Sequence, residues 1–167
     1  MTAGNIVLIG MPSSGKSTVG RLLAKKINYE FIDTDKLIME KVNKPLKDVV
    51  NEDGLEKFLD IQEKTILETS VDKHVIATGG SVIYSEKSMN HLKKNSVIVY
   101  LETDMKELAD RITSDRRLAR NENQSFQEMY EERKLLYKKY ADITVNCTNR
   151  KPEDIADELV KKLEGSK

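Results

Sequence analysis

Short apolar runs alternate along the chain with longer stretches in which apolar side chains recur every three or four residues. The runs are rich in β-branched residues and predict strands over residues 6–9, 29–32, 75–78, 97–101 and, more weakly, 143–145. The first long stretch has one apolar helical face, made of Val19, Leu22, Leu23 and Ile27. We predict that its helix begins near Lys16. Strands that alternate with helices are typical of a parallel α/β sheet.

Local signals mark further helix boundaries. Proline is favoured in the first turn of a helix, so Pro45 and Pro152 each predict a helix start. Ser125 and Glu128 have the spacing of a capping box, which predicts another start. By contrast, residues 114–124, TSDRRLARNEN, are rich in charge and lack apolar periodicity. We interpret this segment as a mobile lid.

Composition limits the classes of function. The chain has 167 residues and no internal repeat or linker, which predicts a single domain over residues 1–167. Its 28 basic and 28 acidic residues balance, so neither nucleic-acid binding nor attraction to a membrane surface is indicated. No apolar run approaches the ~18 residues that span a bilayer. The start MTAGNIVLIG lacks a secretion signal, and Cys147 has no second cysteine, so we expect a cytoplasmic protein. We also expect a monomer.

The sequence GMPSSGKST, residues 10–18, fits the motif G-x-x-x-x-G-K-[ST]. In this motif small residues let the backbone wrap a phosphate chain, while backbone N–H groups and a helix N-terminus supply positive potential. Lys16 would reach the β- and γ-phosphates, and Ser17 would ligate Mg²⁺. We therefore predict that a nucleoside triphosphate with Mg²⁺ is bound by Gly10, Pro12, Ser13, Ser14, Gly15, Lys16, Ser17 and Thr18.

Several classes of enzyme use such a cradle, and the rest of the chain favours one of them. A GTPase needs the guanine-selecting pattern N-K-x-D, but residues 43–46 read NKPL and lack the aspartate. A motor ATPase needs further modules, for which 167 residues leave little room. A small-molecule kinase needs only the cradle, an acceptor pocket and a lid that excludes water. We therefore predict phosphoryl transfer from ATP to a small metabolite.

Six segments resemble, in their order, the motifs of the shikimate kinase family, a branch of the nucleoside monophosphate kinase-like P-loop proteins. They are GMPSSGKSTVGRLLA, IDTD, DGLEKF, ATGG, ERKLLYKKYAD and TNRKPEDIA, and they extend over nearly the whole chain. The resemblance implies a three-layer α/β/α fold whose five-stranded parallel sheet has the order 2-3-1-4-5. It also implies ATP and Mg²⁺ as cofactors, shikimate as the acceptor that becomes shikimate 3-phosphate, and an acceptor-binding helical region at about 34–60.

The resemblance also implies roles for residues on the acceptor side. Asp33 would hold the water shell of the magnesium ion. Asp35 would act catalytically, because it would bind the acceptor's hydroxyls and orient the attacking one. Gly79 and Gly80 would offer their backbone to the acceptor, and Arg133 would bind the acceptor's carboxylate, a task suited to a planar fork of donors.

On the nucleotide side, the resemblance implies contacts from basic residues that lie late in the chain. Arg116, within the predicted lid, would reach over the phosphates and act catalytically together with Lys16. Arg111 belongs to the same arginine-rich stretch and is a candidate for nucleotide binding. Arg150 would lie beside the adenine with Pro152.

Four departures from the family pattern matter, and the two at Leu59 and Ser81 concern the acceptor site. The family's F-R-x-x-E reads FLDIQ over residues 58–62, so Leu59 replaces an arginine of the carboxylate clamp. Leu59 either packs on its helix or marks an acceptor whose carboxylate is absent or held differently, for example by Lys57. Ser81 replaces the family's third glycine and narrows the approach to the substrate. Two alternatives to a shikimate kinase therefore stay open: a kinase acting on another polyol or hydroxy acid, and a nucleotide-binding regulatory module without turnover.

Overall fold

The computed structural model describes residues 4–111 and 123–165 of the chain. The strands are β1 (Asn5–Ile9), β2 (Glu30–Asp33), β3 (His74–Ala77), β4 (Ser96–Glu102) and β5 (Ile143–Asn146). The helices are α1 (Lys16–Ile27), α2 (Thr34–Val42), α3 (Leu46–Asp53), α4 (Leu55–Glu68), α5 (Glu86–Lys93), α6 (Met105–Arg111), α7 (Phe126–Tyr140) and α8 (Pro152–Glu164). A 3-10 turn, Val82–Tyr84, lies between β3 and α5.

The strands form one parallel sheet in the order β2-β3-β1-β4-β5, which confirms the order implied by the family resemblance. β1 lies at the centre, where Leu8 pairs with Ala77 of β3 and with Val99 of β4. Because the strands are parallel, their carboxyl ends lie along one edge of the sheet, where ligands of such folds bind. The segments that follow β1, β2 and β3 meet at this edge.

Helices cover both faces of the sheet. Val7 and Ile9 of β1 point to one face, where they join an apolar cluster with side chains of α5 and α7. Ile6 and Leu8 point to the other face and pack with side chains of α1 and α8. This alternation follows from the period of two in a strand. The predicted three-layer α/β/α architecture is therefore confirmed.

A third, smaller apolar cluster lies apart from the sheet. Its buried members are Val49, Val50 and Phe58, from α3 and α4, and Leu59 packs against them partly buried. These helices, together with α2, account for most of the region 34–60. The cluster gives this helical region a small core of its own. The binding of the acceptor by this region stays a prediction.

The sequence patterns locate most boundaries to within one or two residues, and all five predicted strands are present. The capping box is formed: Ser125 Oγ accepts from the backbone N–H of Glu128, and the Glu128 carboxylate accepts from that of Ser125, both at 3.1 Å. Pro152 is the first residue of α8, as predicted. Pro45 immediately precedes α3.

Most of the predicted lid, residues 114–124, lies outside the described residues, so the lid stays a prediction. Within the described ranges, 4–111 and 123–165, no helix is both long enough and apolar enough to cross a membrane.

Cys147 lies in the apolar cluster beside α1 and α8 and is 2% exposed, so it packs as a small buried residue. Burial raises the pKa of its thiol to about 12, and Arg150 opposes this only in part. Stabilisation of the fold by the neutral thiol is complete below the unfolded pKa, about 8.5, and is lost as the pH rises towards the folded value.

The thiolate is the reactive form of cysteine, and the chain has one cysteine. We therefore expect the native protein to react with Ellman's reagent at pH 8 about 100-fold more slowly than protein denatured in urea. Equal rates in the two states would contradict the burial of Cys147.

Candidate active site

The loop between β1 and α1 forms a tight cradle. Gly15 has a φ of 92°, a left-handed conformation that glycine adopts without strain. A Cβ on Gly10 would lie 2.8 Å from the carbonyl oxygen of Leu101, so the loop starts directly against β4. The Lys16 ammonium bends back over the loop and donates to the carbonyl oxygens of Gly10 and Met11, at 2.7 and 2.8 Å. The structure therefore places the motif between a strand and a helix N-terminus, as its function requires.

The start of α1 carries groups suited to a polyphosphate and a divalent cation. Its first turn carries no acidic residue of its own, which leaves the backbone N–H groups of the helix N-terminus suited to an anion. Ser17 Oγ donates to Asp33 Oδ2 at 2.7 Å, which joins a hydroxyl to a carboxylate. Oxygen atoms of this kind are the ligands that Mg²⁺ prefers. The residues present therefore fit a nucleoside triphosphate with Mg²⁺.

Asp33 and Asp35 lie at the junction of β2 and α2 but have different neighbours. Asp33 caps α2, because its Oδ1 accepts from the backbone N–H of Asp35 at 3.0 Å, while its Oδ2 accepts from Ser17 of the cradle. Asp35, in the first turn of α2, lies against the segment after β3: a Cβ on Gly79 would be 2.5 Å from Asp35 Oδ1. One carboxylate therefore lies next to the cradle and the other next to the glycine turn.

The glycine turn after β3 is closely packed. A Cβ on Gly79 would also lie 2.9 Å from Gln62 Oε1, and a Cβ on Gly80 would lie 2.7 Å from Pro12 Cδ. The same Cβ on Gly80 would also lie 3.0 Å from a terminal nitrogen of Arg133. Glycine is needed at both positions because the cradle, α4 and α7 approach the backbone there.

Arg133 on α7 is 1% exposed, although it carries a charge. Its Nε donates to the hydroxyl of Tyr84 at 3.3 Å, and its guanidinium lies 5.3 Å from the centre of the Tyr84 ring. Four residues later on α7, the Tyr137 hydroxyl donates to the carbonyl oxygen of Gly80 at 2.6 Å. Burial raises the pKa of Tyr137, so this donor stays protonated at neutral pH.

This hydrogen bond fixes the peptide of Gly80, and Tyr137 was not among the residues predicted for the site. The signal available in the sequence was its position four residues after Arg133, because residues i and i+4 share one face of a helix. The same face of α7 therefore carries a cation and a hydroxyl to the glycine turn.

These elements enclose a cavity of about 350 Å³. Its volume is in the range of sites for small ligands. The sequence-predicted residues that line it are Pro12, Ser13, Gly15, Lys16, Ser17, Thr18, Asp33, Asp35, Gly79, Gly80 and Arg133. Leu46, Lys47, Val50, Phe58, Thr78 and Ser81 complete the lining and were not predicted to bind substrate. Gly10 and Ser14, which were also predicted to bind the nucleotide, are not part of this lining.

The positions that depart from the family pattern lie on one side of the cavity. Leu59 packs on the apolar cluster of α3 and α4, and the preceding residue, Phe58, lines the cavity instead. Gln62, one turn further along α4, forms a hydrogen bond with the Ser81 hydroxyl at 3.2 Å, and both side chains are buried. A neutral polar pair thus lies beside the glycine turn.

Arg111, predicted to bind the nucleotide, contacts the cradle from α6. Arg111 donates to the carbonyl oxygen of Ser13 at 2.9 Å and pairs with Glu107 at 3.1 Å. The other carboxylate oxygen of Glu107 accepts from the backbone N–H of Asn149 at 3.0 Å. Glu107 therefore connects α6 to the loop before α8.

Arg150, in that loop, donates to the carbonyl oxygen of Asn146 at 2.8 Å and pairs with Glu158 at 2.7 Å. Pro152 begins the helix that follows. Arg111, Arg150 and Pro152 do not line the cavity around the cradle and acceptor region. Arg116 lies outside the described residues. The predicted nucleotide contacts of all four stay predictions.

Comparison with known proteins identifies close relatives of the whole chain. The family model described as shikimate kinase matches residues 12–164. A shikimate kinase from Sulfurihydrogenibium sp. is 36% identical over 163 residues, which cover 95% of this chain and 97% of that protein. The solved structure of a shikimate kinase from Acinetobacter baumannii in complex with shikimate superposes with a TM-score of 0.91 at 30% identity, over 98% of this chain and 94% of that one.

A relative with a different name is equally similar in sequence. Threonine synthase-like 1 from Mus musculus is 37% identical over 161 residues, which cover 93% of this chain but only 22% of that much longer protein. The family model matches most of the chain, and full-length relatives are more than 30% identical to it over nearly its whole length. This chain therefore belongs to the shikimate kinase family.

Proposed function

We propose that this protein transfers the γ-phosphoryl group of Mg·ATP to a hydroxyl of shikimate. The observation that carries the proposal is one continuous cavity that joins the phosphate cradle, including Lys16 and Ser17, to Asp35, Gly80 and Arg133. A kinase needs this arrangement, because donor and acceptor must meet in a single space that excludes water. The monomer expected from the sequence stays a prediction.

The cradle residues would hold the donor. Backbone N–H groups at the start of α1 and the Lys16 ammonium would bind the phosphate oxygens, and Lys16 would exchange its bonds to Gly10 and Met11 for bonds to phosphate. Ser17 and Asp33 would hold Mg²⁺ directly or through its water. The ion, when bound, neutralises charge on the β- and γ-phosphates.

Asp35 would orient the attacking hydroxyl and receive its proton. In this step the acceptor oxygen forms a bond to the γ-phosphorus, the bond from that phosphorus to the bridging oxygen breaks, and ADP leaves with the electron pair. The proton of the hydroxyl passes to the Asp35 carboxylate. Lys16 and, from the lid, Arg116 would stabilise the charge on the transferred group.

Arg133 would bind the acceptor's carboxylate. It is a buried cation beside Gly80, and a planar guanidinium binds carboxylates through two parallel hydrogen bonds. Gly79 and Gly80 would present backbone groups to the acceptor, in a peptide fixed by Tyr137. Arg111, Arg150 and Pro152 would complete the adenine site beyond the cradle, and the use of ATP agrees with the cytoplasmic location expected from the sequence.

A coupled assay of ADP release tests the proposal. We expect release to require both Mg²⁺ and shikimate, with one phosphorylated product per ADP detected by mass spectrometry. A reaction without shikimate measures the background rate of ATP hydrolysis, which is subtracted. ATP binding without any shikimate-dependent release would contradict the proposal.

A second candidate is a kinase with another acceptor, a polyol or a hydroxy acid. One observation favours it: Leu59 packs on the apolar cluster of α3 and α4, which leaves the acceptor site without the family's second arginine. The same assay with a panel of sugar acids and polyols separates the two. Faster turnover with any of these than with shikimate would establish the second candidate.

A further inference from the structure

We infer that Lys47 of α3 supplies the second cation for an anionic group of the acceptor, in place of the arginine that the family carries at position 59. The inference rests on the proposed function, because it concerns the acceptor end of the same cavity. It names an additional specificity-determining residue, and it specifies the acceptor as an anion.

The position of the family's arginine is not available to the acceptor in this protein. Leu59 packs with the apolar side chains of α3 and α4 and does not line the cavity. The glutamate of the same family motif is replaced as well, by Gln62, which is buried and hydrogen-bonded to Ser81 at 3.2 Å. The arginine and the glutamate of the family motif are therefore both absent from positions 59 and 62. The hydrogen-bonded side chains of Gln62 and Ser81 occupy this part of the protein and carry no net charge.

Lys47 lines the cavity together with Leu46 and Val50, its neighbours on α3. It is exposed, and among the described residues it has no ion pair. Lys44, just before α3, is instead held by Glu52 and Asp53, at 3.2 and 2.9 Å. Lys47 is thus a cation at the cavity wall that no carboxylate of the described chain engages.

With Lys47 included, the part of the cavity proposed for the acceptor has more positive than negative side chains, which favours an anionic acceptor. Asp35 is the carboxylate next to the glycine turn, and Arg133 and Lys47 are the two cations that reach the cavity from α7 and α3. Lys16 is held on the cradle, and Asp33 is bonded to Ser17 there. A lysine has a flexible stem of four carbons, so its ammonium can reach an acceptor from an exposed helical position.

The test is the substitution Lys47→Met, which removes the charge and keeps most of the length of the side chain. We expect the KM for shikimate to rise roughly three- to tenfold, the range between an exposed ion pair and a charge-assisted hydrogen bond. The kcat and the KM for ATP should stay within about twofold of the wild type, because Lys47 is on the acceptor side. Lys47→Arg should keep most of the affinity for shikimate.

Two comparisons make the test specific. Lys57→Met on α4 is the matched control, since Lys57 is exposed but does not line the cavity, and it should leave every parameter unchanged. Methyl shikimate, which lacks the negative charge, should have nearly the same KM in the wild type and in Lys47→Met.

An unchanged KM for shikimate in Lys47→Met, an equal effect on the methyl ester, or a rise confined to the KM for ATP would overturn the role of Lys47. In each of these cases the wild type still turns over shikimate, so the proposed function stands. A wild type without shikimate-dependent turnover would overturn the proposed function and this inference together.

Discussion

Replacement of Lys16 by alanine should lower the kcat for shikimate-dependent ADP release about a thousandfold, on the order of 4 kcal/mol in the activation barrier. Lys16 is 8% exposed and lies at the start of α1, on the wall of the cavity. It is held by two carbonyl oxygens of the cradle, so it is already positioned where phosphates would bind. An ammonium fixed in this way stabilises the charge that develops on the transferred group.

The same substitution removes the donor for the carbonyl oxygens of Gly10 and Met11, so its effect on folding must be measured separately. Lys25→Ala is the matched control, because Lys25 is an exposed residue of the same helix and lies outside the cavity. Thermal unfolding of both variants, with kcat measured well below the lower midpoint, separates stability from catalysis. A folded Lys16→Ala protein with more than a tenth of wild-type kcat would contradict the proposed role.

Much of the fold follows from local patterns. The five strands and the capping box are visible because apolar periodicity and capping depend on neighbouring residues alone. The order of the strands depends on contacts between residues far apart in sequence, such as Leu8 with Ala77 and Val99. The order was predicted through the family resemblance, because the periodicity of the sequence carries no information on such contacts.

The residues of the candidate site likewise fall into those that local sequence predicts and those that only the fold brings together. The cradle is a contiguous motif, so its residues could be named from the sequence. Tyr137, Lys47 and the Gln62–Ser81 pair could not, because each acts on a partner from another element of the fold. Lys57 and Lys47 are equally plausible as cations in the sequence, and only the packing of α3 and α4 shows which one reaches the cavity.

Asp35→Asn should lower kcat roughly a hundred- to a thousandfold, the effect typical of losing a general base. Asparagine has nearly the same shape as aspartate, so it fits the close contact with Gly79 and should leave the fold intact. It still binds a hydroxyl, but it does not accept the hydroxyl's proton. We therefore expect the KM for Mg·ATP to stay near the wild-type value while turnover falls, measured in the coupled assay at saturating shikimate.

Asp33→Asn tests whether the two carboxylates have different roles, because Asp33 and Asp35 are two residues apart and both line the cavity. Asparagine is as good a helix cap as aspartate, so α2 should be retained. The lost charge lies beside Ser17, on the cradle side, and the Mg²⁺ concentration at half-maximal rate should rise about tenfold or more. If Asp35→Asn raised the Mg²⁺ requirement in the same way, the two carboxylates would share one role and the proposed division between donor and acceptor would be wrong.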